Sequence, residues 1–250
     1  MPEWSASQQP ESPQPLISLV FAYYENPTML EMQWATIAEY PDSVKNVLEV
    51  IVVDDGSPIC PAAGISRPSS LPLVSVLRIQ RDVRWNQDAA RNIGAHEARA
   101  EWLLLTDVDH IVPASTLERL IALDRDPSVF YTFSRIKYES NEARDPHPNS
   151  YFMTKALYWE IGGHDEDYAG IYGKDFLFKK RALQRTKEVR LLDVPLARVG
   201  TSTTADAGSH TITRDNTLSK RVWGYVLQGL KAAKLWRGVQ TLTEEYRRVV

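Results

Sequence analysis

The chain has 250 residues, of which 43% are hydrophobic, so it can bury one substantial core and is not intrinsically disordered. Its formal net charge of −3 argues against non-specific nucleic-acid binding by the whole molecule, and the single cysteine, Cys60, excludes an internal disulfide and a thiolate zinc cage. Because no apolar run approaches about 18 residues and the polar start lacks a secretory pattern, we expect a cytoplasmic protein without a membrane span.

The first half of the chain alternates strand-like and helix-like patterns. Residues 1–15 are rich in Pro, Ser and Gln and are expected to form a flexible tail. Hydrophobic periodicity then predicts strand 16–23, helix 28–40, strand 48–53, strand 73–79, helix 87–99 and strand 102–106. This order favours an α/β fold, Rossmann-like, in which helices flank a mostly parallel central sheet.

The pattern loosens after Pro113. A strand is predicted over 129–136 and a polar loop over 139–150, so we expect a loop-rich second half. Leu218, Val222, Val226 and Leu230 recur every fourth residue within 217–237, which predicts a basic amphipathic helix. Between 210 and 250 there are eight Lys or Arg against three Asp or Glu, so the chain has an acidic body and a basic end.

Asp107-Val108-Asp109 directly follows the buried strand 102–106. Ligands bind at the carboxyl ends of the strands in an open α/β sheet, and two carboxylates there suit a divalent cation. The chain holds two other Asp-x-Asp triplets, at 124–126 and 165–167, but neither follows an apolar strand. Context therefore selects the first triplet as the candidate site.

Four further segments lie around this triplet in sequence order. The five segments read EVIVVDDGSP (49–58), RWNQDAARNIG (84–94), LLTDVDHIVP (104–113), GGHDEDYAGIYGKD (162–175) and SHTITRDN (209–216). Together they resemble the nucleotide-sugar-dependent glycosyltransferases of the GT-A fold, specifically the inverting family 2 enzymes and the related β-1,4-galactosyltransferases. The resemblance runs from about residue 17 to residue 216.

The resemblance implies a donor site. One of Asp54 and Asp55 is expected to accept the imide N–H of uracil, although an Asp-Gly turn that only caps local structure is an equal alternative. Arg91 is expected to hold the nucleotide and the metal-bearing loop; the alternative is a surface arginine paired with Asp88 or Glu97.

The resemblance also implies a metal site. Asp109 corresponds to the aspartate that binds Mn²⁺ or Mg²⁺ directly, and Asp107 to the one that contacts the ribose or a metal-bound water. His210, followed by Arg214 and Asn216, resembles the histidine that completes the metal shell in the galactosyltransferases. We interpret His110 as a loop residue rather than a ligand, because neighbouring side chains on a strand end point apart.

The acceptor side is implied by the fourth segment. Asp175 corresponds to the family's catalytic base, but Lys174 replaces the family's glutamate and Tyr172 stands near the place of its tryptophan, which leaves the acceptor open. Asp165, Glu166 and Tyr172 are candidate acceptor contacts. The alternatives are that the two acids cap a turn and that the tyrosine only packs.

These features predict a metal-dependent, inverting glycosyltransferase that uses a UDP-sugar and a hydroxyl acceptor, a glycan first among candidates. Two alternatives stay open: a transferase acting on modified DNA bases or another polyanion, and a non-catalytic UDP-sugar or glycan-binding module. The basic helix also suits peripheral contact with an anionic membrane. Within one compact domain we expect a tail (1–15), a nucleotide-sugar half (16–112), an acceptor and base half (113–209), and a metal-ligand segment with the basic helix (210–250).

Overall fold

The first apolar run of the chain, Ile17–Tyr23, forms strand β1 in the middle of the sheet, as its burial on both sides requires. The computed structural model describes residues 14–83, 85–171, 173–174, 176–207 and 217–250. β1 lies between β2 (Leu48–Asp54) and β4 (Trp102–Asp107) and is parallel to both, and β3 (Leu73–Ile79) continues the sheet parallel to β2. The four strands predicted for the first half therefore form the expected parallel sheet.

The second half joins this sheet mainly by antiparallel pairing. Its strands are β5 (His110–Ile111), β6 (Val129–Lys137), β7 (Ala143–Arg144), β8 (Tyr151–Thr154), β9 (Glu188–Arg198) and β10 (Tyr246–Arg248). The order across the sheet is β10-β3-β2-β1-β4-β8-β6-β9-β5, with β7 beside β6. Among the described residues of this half, only β6 and β9 pair in parallel, whereas β8 runs antiparallel to both β4 and β6.

The expected parallel pairing is thus found for β1 to β4 and for β6 with β9, whereas the other strand pairs are antiparallel. Parallel neighbours need a crossover connection, usually a helix, whereas antiparallel neighbours can follow one another through a loop. The segment between β6 and β8 contains β7 and loop residues but no helix, so these strands return antiparallel.

Helices cover both faces of the sheet. They are α1 (Pro27–Ala38), α2 (Asp42–Lys45), α3 (Gln87–Glu97), α4 (Ala114–Ala122), α5 (Lys155–Ile161), α6 (Phe176–Arg185) and α7 (Leu218–Ala232). Side chains of α1, α2 and α4 pack with Leu19 and Phe21 of β1 on one face. Those of α3, α5 and α6 pack with Val20 on the other, as the alternation of a strand requires. The result is a three-layer α/β structure.

Helix α3 lies very close to β1. A Cβ atom at Gly94 would lie only 2.3 Å from Cγ1 of Val20, so any residue other than glycine would clash with that side chain. This close approach brings the buried polar residues of α3, Arg91 and Asn92, beside the strands whose ends form the candidate site.

The C-terminal segment differs from the prediction. Helix α7 ends at Ala232 instead of Arg237, because Lys234 adopts a positive φ of 56° and the Leu235 N–H donates to the Leu230 carbonyl at 2.8 Å. The chain then returns to the sheet, where β10 pairs antiparallel with β3. In the part of the chain that the structure describes, no helix has the length and apolar character needed to cross a membrane.

Candidate functional site

The carboxylate of Asp107, the last residue of β4, is held from two sides. Arg91 Nη2 donates to its Oδ1, and His147 Nε2 lies 3.4 Å from its Oδ2. Arg91 is fully buried, so the charge on α3 acts through little water. Burial raises the pKa of Asp107, but the charge of the Arg91 guanidinium and its hydrogen bond to the carboxylate outweigh this effect and hold that pKa below its usual value. Asp107 is therefore an ionised, fixed carboxylate.

Asp109 pairs with the histidine that follows it. His110 Nδ1 lies 2.7 Å from Asp109 Oδ1, and Arg198 Nε lies 3.8 Å from Oδ2. The expectation that these neighbouring side chains point apart is wrong. Asp109 lies in the turn between β4 and β5, where the alternation of a strand does not apply, and His110 is buried at the start of β5 rather than in a loop.

His147 completes this cluster and was missed by the sequence analysis. Its ring stacks on His110 with 4.0 Å between centroids, and its Nδ1 lies 2.9 Å from Ser150 Oγ. Burial lowers the pKa of His147 to about 3 although Asp107 opposes this, so the imidazole is neutral near pH 7. The one sequence signal was its place between Pro146 and Pro148, which restrict the backbone of an otherwise polar loop.

The two aspartates that end β2 have different surroundings. Asp54 accepts the Ser57 N–H at 2.8 Å and the Ala62 N–H at 2.9 Å, so both of its oxygens organise the following loop. Burial raises the pKa of Asp54, against the lowering effect of these bonds. Asp55 Oδ2 accepts the N–H of Asn86, at the start of α3. The capping alternative thus describes Asp54.

Arg91 is not the surface arginine, paired with Asp88 or Glu97, that the alternative interpretation describes. Its Nη1 lies 4.0 Å from Asp88, but the whole side chain is buried and Asp107 is its close partner. Glu97 pairs with Arg248 at 2.8 Å instead.

Asn92 links α3 to the GGHDED segment. Its side-chain N–H groups reach the His164 carbonyl at 2.8 Å and Glu166 at 2.6 Å, while its oxygen accepts from Tyr158. Gly163, at a φ of +63°, packs against it, since a Cβ there would lie 2.9 Å from the Asn92 oxygen. This network fixes the segment that precedes Asp175 along the chain.

The carboxylates of Asp165 and Glu166 are occupied by the protein's own donors. Asp165 lies 2.8 Å from Lys231 Nζ and accepts from the Asp167 N–H. Glu166 accepts the backbone N–H groups of Leu242 and Thr243, each at 2.7 Å. Both residues are buried, so the turn-capping alternative describes them, and acceptor binding by either would require these bonds to break.

Three other predicted site residues, Tyr172, Asp175 and His210, lie outside the described residues. Lys174, which precedes Asp175, is buried, and its Nζ lies 3.7 Å from the centroid of the Tyr225 ring on α7. Within the described ranges, no group of three or more His, Cys, Asp or Glu side chains is arranged to hold a metal ion. Asp107 and Asp109 alone therefore do not make a complete metal shell.

A parallel core sheet, helices on both faces and acidic residues at the end of β4 together define the GT-A glycosyltransferase fold. Residues 26–185 match the model of the family described as Glycosyl transferase family 2. As this match covers more than half of the chain, the protein belongs to glycosyltransferase family 2. No curated protein matches the chain in sequence.

Solved structures resemble the fold at low identity. Residues 1–349 of S. aureus TarS are 16% identical with a TM-score of 0.61, over 74% of this chain and 61% of that one. The mannosyltransferase PcManGT from Pyrobaculum calidifontis, in complex with GDP-Man and Mn²⁺, is 19% identical with a TM-score of 0.57, over 91% and 66%. GalNAc-T7 with UDP, GalNAc and Mn²⁺ is 14% identical with a TM-score of 0.54, over 85% and 48%. The chain thus spans about three fifths of the TarS structure, and this likeness shows the fold alone.

Proposed function

We propose that the chain is a metal-dependent, inverting glycosyltransferase that moves a sugar from a UDP-sugar to a hydroxyl acceptor. The observation that carries this proposal is the pair Asp107 and Asp109 at the end of β4 in a family 2 chain, where Arg91 and two histidines hold the carboxylates. Two related structures support the donor class, since TarS is also solved with UDP-GlcNAc and GalNAc-T7 with UDP.

In this proposal one of Asp54 and Asp55 recognises the base by accepting the uracil imide N–H, as the resemblance to the family implies. In the structure Asp54 accepts the Ser57 and Ala62 N–H groups, and Asp55 accepts the Asn86 N–H. Arg91 acts by keeping the Asp107 carboxylate ionised and in place toward the ribose or a metal-bound water. A fixed carboxylate costs less to organise when the donor binds.

The donor set suits Mn²⁺ or Mg²⁺. Carboxylate oxygens are preferred ligands of hard divalent ions, and diphosphate oxygens and water would complete the shell around Asp109. By its resemblance to the galactosyltransferases, His210 would add an imidazole, which favours Mn²⁺ over Mg²⁺. When bound, the ion neutralises the charge that grows on the departing nucleoside diphosphate.

We assign the general base to Asp175. Its carboxylate would accept the proton of the acceptor hydroxyl as that oxygen attacks the anomeric carbon from the face opposite the diphosphate, which inverts the configuration. Tyr172 would lie against a sugar ring of the acceptor, which we take to be a glycan. Lys174 occupies the position of the family's acid, yet its ammonium contacts α7.

Calorimetry with UDP and Mn²⁺ tests the donor site. Asp109→Ala should lower Mn²⁺-dependent UDP affinity by at least about tenfold, because loss of a direct ligand should cost no less than loss of an outer-shell partner. Asp124→Ala, an exposed aspartate from another Asp-x-Asp triplet, is the matched control and should bind as the wild type does. Equal losses in both variants would remove the 107–109 triplet from the site.

A panel of UDP-sugars with Mn²⁺ tests catalysis. The wild type should release UDP slowly by hydrolysis, because water can replace the acceptor. Clear UDP binding with no hydrolysis and no transfer to any glycan would instead favour the non-catalytic binding module.

A further inference from the structure

Helix α7 turns its apolar stripe away from the protein. The exposed fractions of Leu218, Val222 and Val226 are 74%, 52% and 45%, although their four-residue spacing places them on one side of the helix. The residues of α7 that are buried, Gly224 and Leu227, lie on the opposite side. The stripe that made the sequence amphipathic is therefore not the side of α7 that packs against the rest of the protein.

The inner side of α7 is fixed by close packing. A Cβ at Gly224 would lie 2.7 Å from Ile171 Cγ2 and 2.9 Å from Lys174 Cε, so the glycine lets the 171–174 segment fit closely against the helix. Leu227 joins a small buried cluster with Tyr168, Ile171 and Leu177. These contacts determine which side of α7 faces outward.

The outward apolar surface continues past the end of the helix. Trp223 contacts Trp236 edge to face at 5.9 Å between centroids, and Tyr225 and Leu235 are 67% and 73% exposed. Seven of the fifteen exposed large hydrophobic side chains among the described residues lie within 218–236. A concentration of this kind marks a docking surface rather than chance exposure.

The charges around this surface have one sign. Residues 217–238 contain five Lys or Arg and no Asp or Glu. Lys231 and Arg237 pair with Asp167, whereas Arg221 and Lys234 are exposed. The outer surface of 218–236 thus combines apolar and aromatic side chains with two exposed cations, for which no acidic partner is found among the described residues.

We propose that α7 and residues 233–236 form a docking surface for an anionic phospholipid bilayer. A helix of 15 residues is about 22 Å long and can lie in the headgroup plane with its apolar side toward the acyl chains. Trp and Tyr favour that interface, and Lys and Arg are attracted to anionic headgroups. A second copy fits less well, because two acid-free basic surfaces would repel each other.

The docking surface has a consequence that rests on the proposed function. The inner side of α7 contacts Lys174, the residue before Asp175, so a bilayer on the outer side would lie near the segment assigned to the acceptor. A membrane-borne hydroxyl acceptor is the substrate class that this arrangement suits.

Vesicle cosedimentation of the full chain tests the proposal. It should bind vesicles of equal parts phosphatidylcholine and phosphatidylglycerol, bind weakly to phosphatidylcholine alone, and lose affinity as salt rises. Arg221→Gln combined with Lys234→Gln should lower the partition coefficient about 25-fold, at about fivefold for each cation. Val222→Glu combined with Val226→Glu should abolish binding, because two charges would enter the apolar stripe.

The matched control is Leu183→Glu combined with Leu191→Glu, two side chains that are each 56% exposed on α6 and β9. This variant should bind vesicles as the wild type does, and circular dichroism should show that all variants are folded. No binding of the wild type to anionic vesicles, or equal losses in both Glu pairs, would overturn the proposal. The proposal would also be overturned if light scattering showed that the wild type is a dimer, that the Val222→Glu and Val226→Glu variant is a monomer, and that neither protein binds vesicles. Mn²⁺-dependent UDP binding is measured in the same samples. Because UDP binding does not depend on lipid, this measurement tests the proposed transferase separately from the docking surface.

Discussion

The Nζ atom of Lys174 lies 3.7 Å from the centroid of the Tyr225 ring and donates to Gln228 Oε1 at 3.3 Å. Lys174, which replaces the family's glutamate, is therefore held against α7. Burial lowers the pKa of Lys174, but the ring face and the amide oxygen both favour its charged form. Lys174 thus links the segment before Asp175 to the C-terminal helix.

Lys174→Glu should lower the free energy of unfolding by about 1–3 kcal/mol, because the cation–π contact would be lost and a carboxylate would face the negative side of the Tyr225 ring. Lys174→Met keeps most of the apolar stem and should cost less. Urea unfolding measures both, with Lys180→Glu on the exposed side of α6 as the control for a charge change. A Lys174→Glu protein as stable as the Lys180→Glu protein would show that the contact with Tyr225 contributes nothing.

Asp175→Asn should leave UDP and Mn²⁺ binding unchanged and lower sugar transfer by about 10² to 10⁴, the usual contribution of a general base. The amide keeps the size of the side chain but cannot accept the acceptor proton. Steady-state kinetics and calorimetry on the same protein separate the two effects. Near-native turnover in this variant would place the base elsewhere and show that the fourth segment is wrongly aligned with the family.

Stability should fall as the pH drops below about 6.5, partly because of His164. Burial lowers the pKa of His164 well below its usual value, with Arg91 and Arg181 adding to the shift, and the ring stacks on Phe178 at 4.1 Å. An unfolded histidine gains a proton below about pH 6.5 and the folded one does not, so each pH unit costs up to about 1.4 kcal/mol.

Urea unfolding between pH 7.5 and 5 measures this slope. His164→Gln should be less stable at neutral pH but should lose less stability on acidification, whereas His96→Gln, at an exposed site, should keep the wild-type slope. An unchanged slope in His164→Gln would mean that the folded imidazole takes up its proton over the same pH range as the unfolded one.

Gly94→Ala should destabilise the protein although alanine favours helices. The helix gains about 1 kcal/mol, but the new methyl would meet Val20 Cγ1 at 2.3 Å, and overpacking of a stiff β-branched neighbour costs about 1–3 kcal/mol or more. Gly229→Ala in α7 is the control. Because nothing lies within 4 Å of the Cβ position at Gly229, this substitution should stabilise the protein. Thermal unfolding compares the two. A stabilised Gly94→Ala protein would contradict the close contact between α3 and β1.

The local pattern of the sequence was sufficient for β1 to β4, α1 and α3, although it did not predict the short α2. Strands β1 and β2 are apolar runs buried on both sides, and α3 begins at Gln87, as predicted. These elements could be predicted because their pattern is set by residues that are close together in the sequence. The family followed from five separated motifs in one order, and the position of Asp107 and Asp109 followed from the end of an apolar run.

Tertiary structure alone decided which side chains meet. His147 reaches Asp107 from forty residues away, and Glu166 is capped by Leu242 and Thr243 from more than seventy, where no periodicity links the partners. The outward orientation of α7 was equally hidden, because an apolar stripe in a sequence does not say what it packs against, and here the small Gly224 made the opposite side the closer fit.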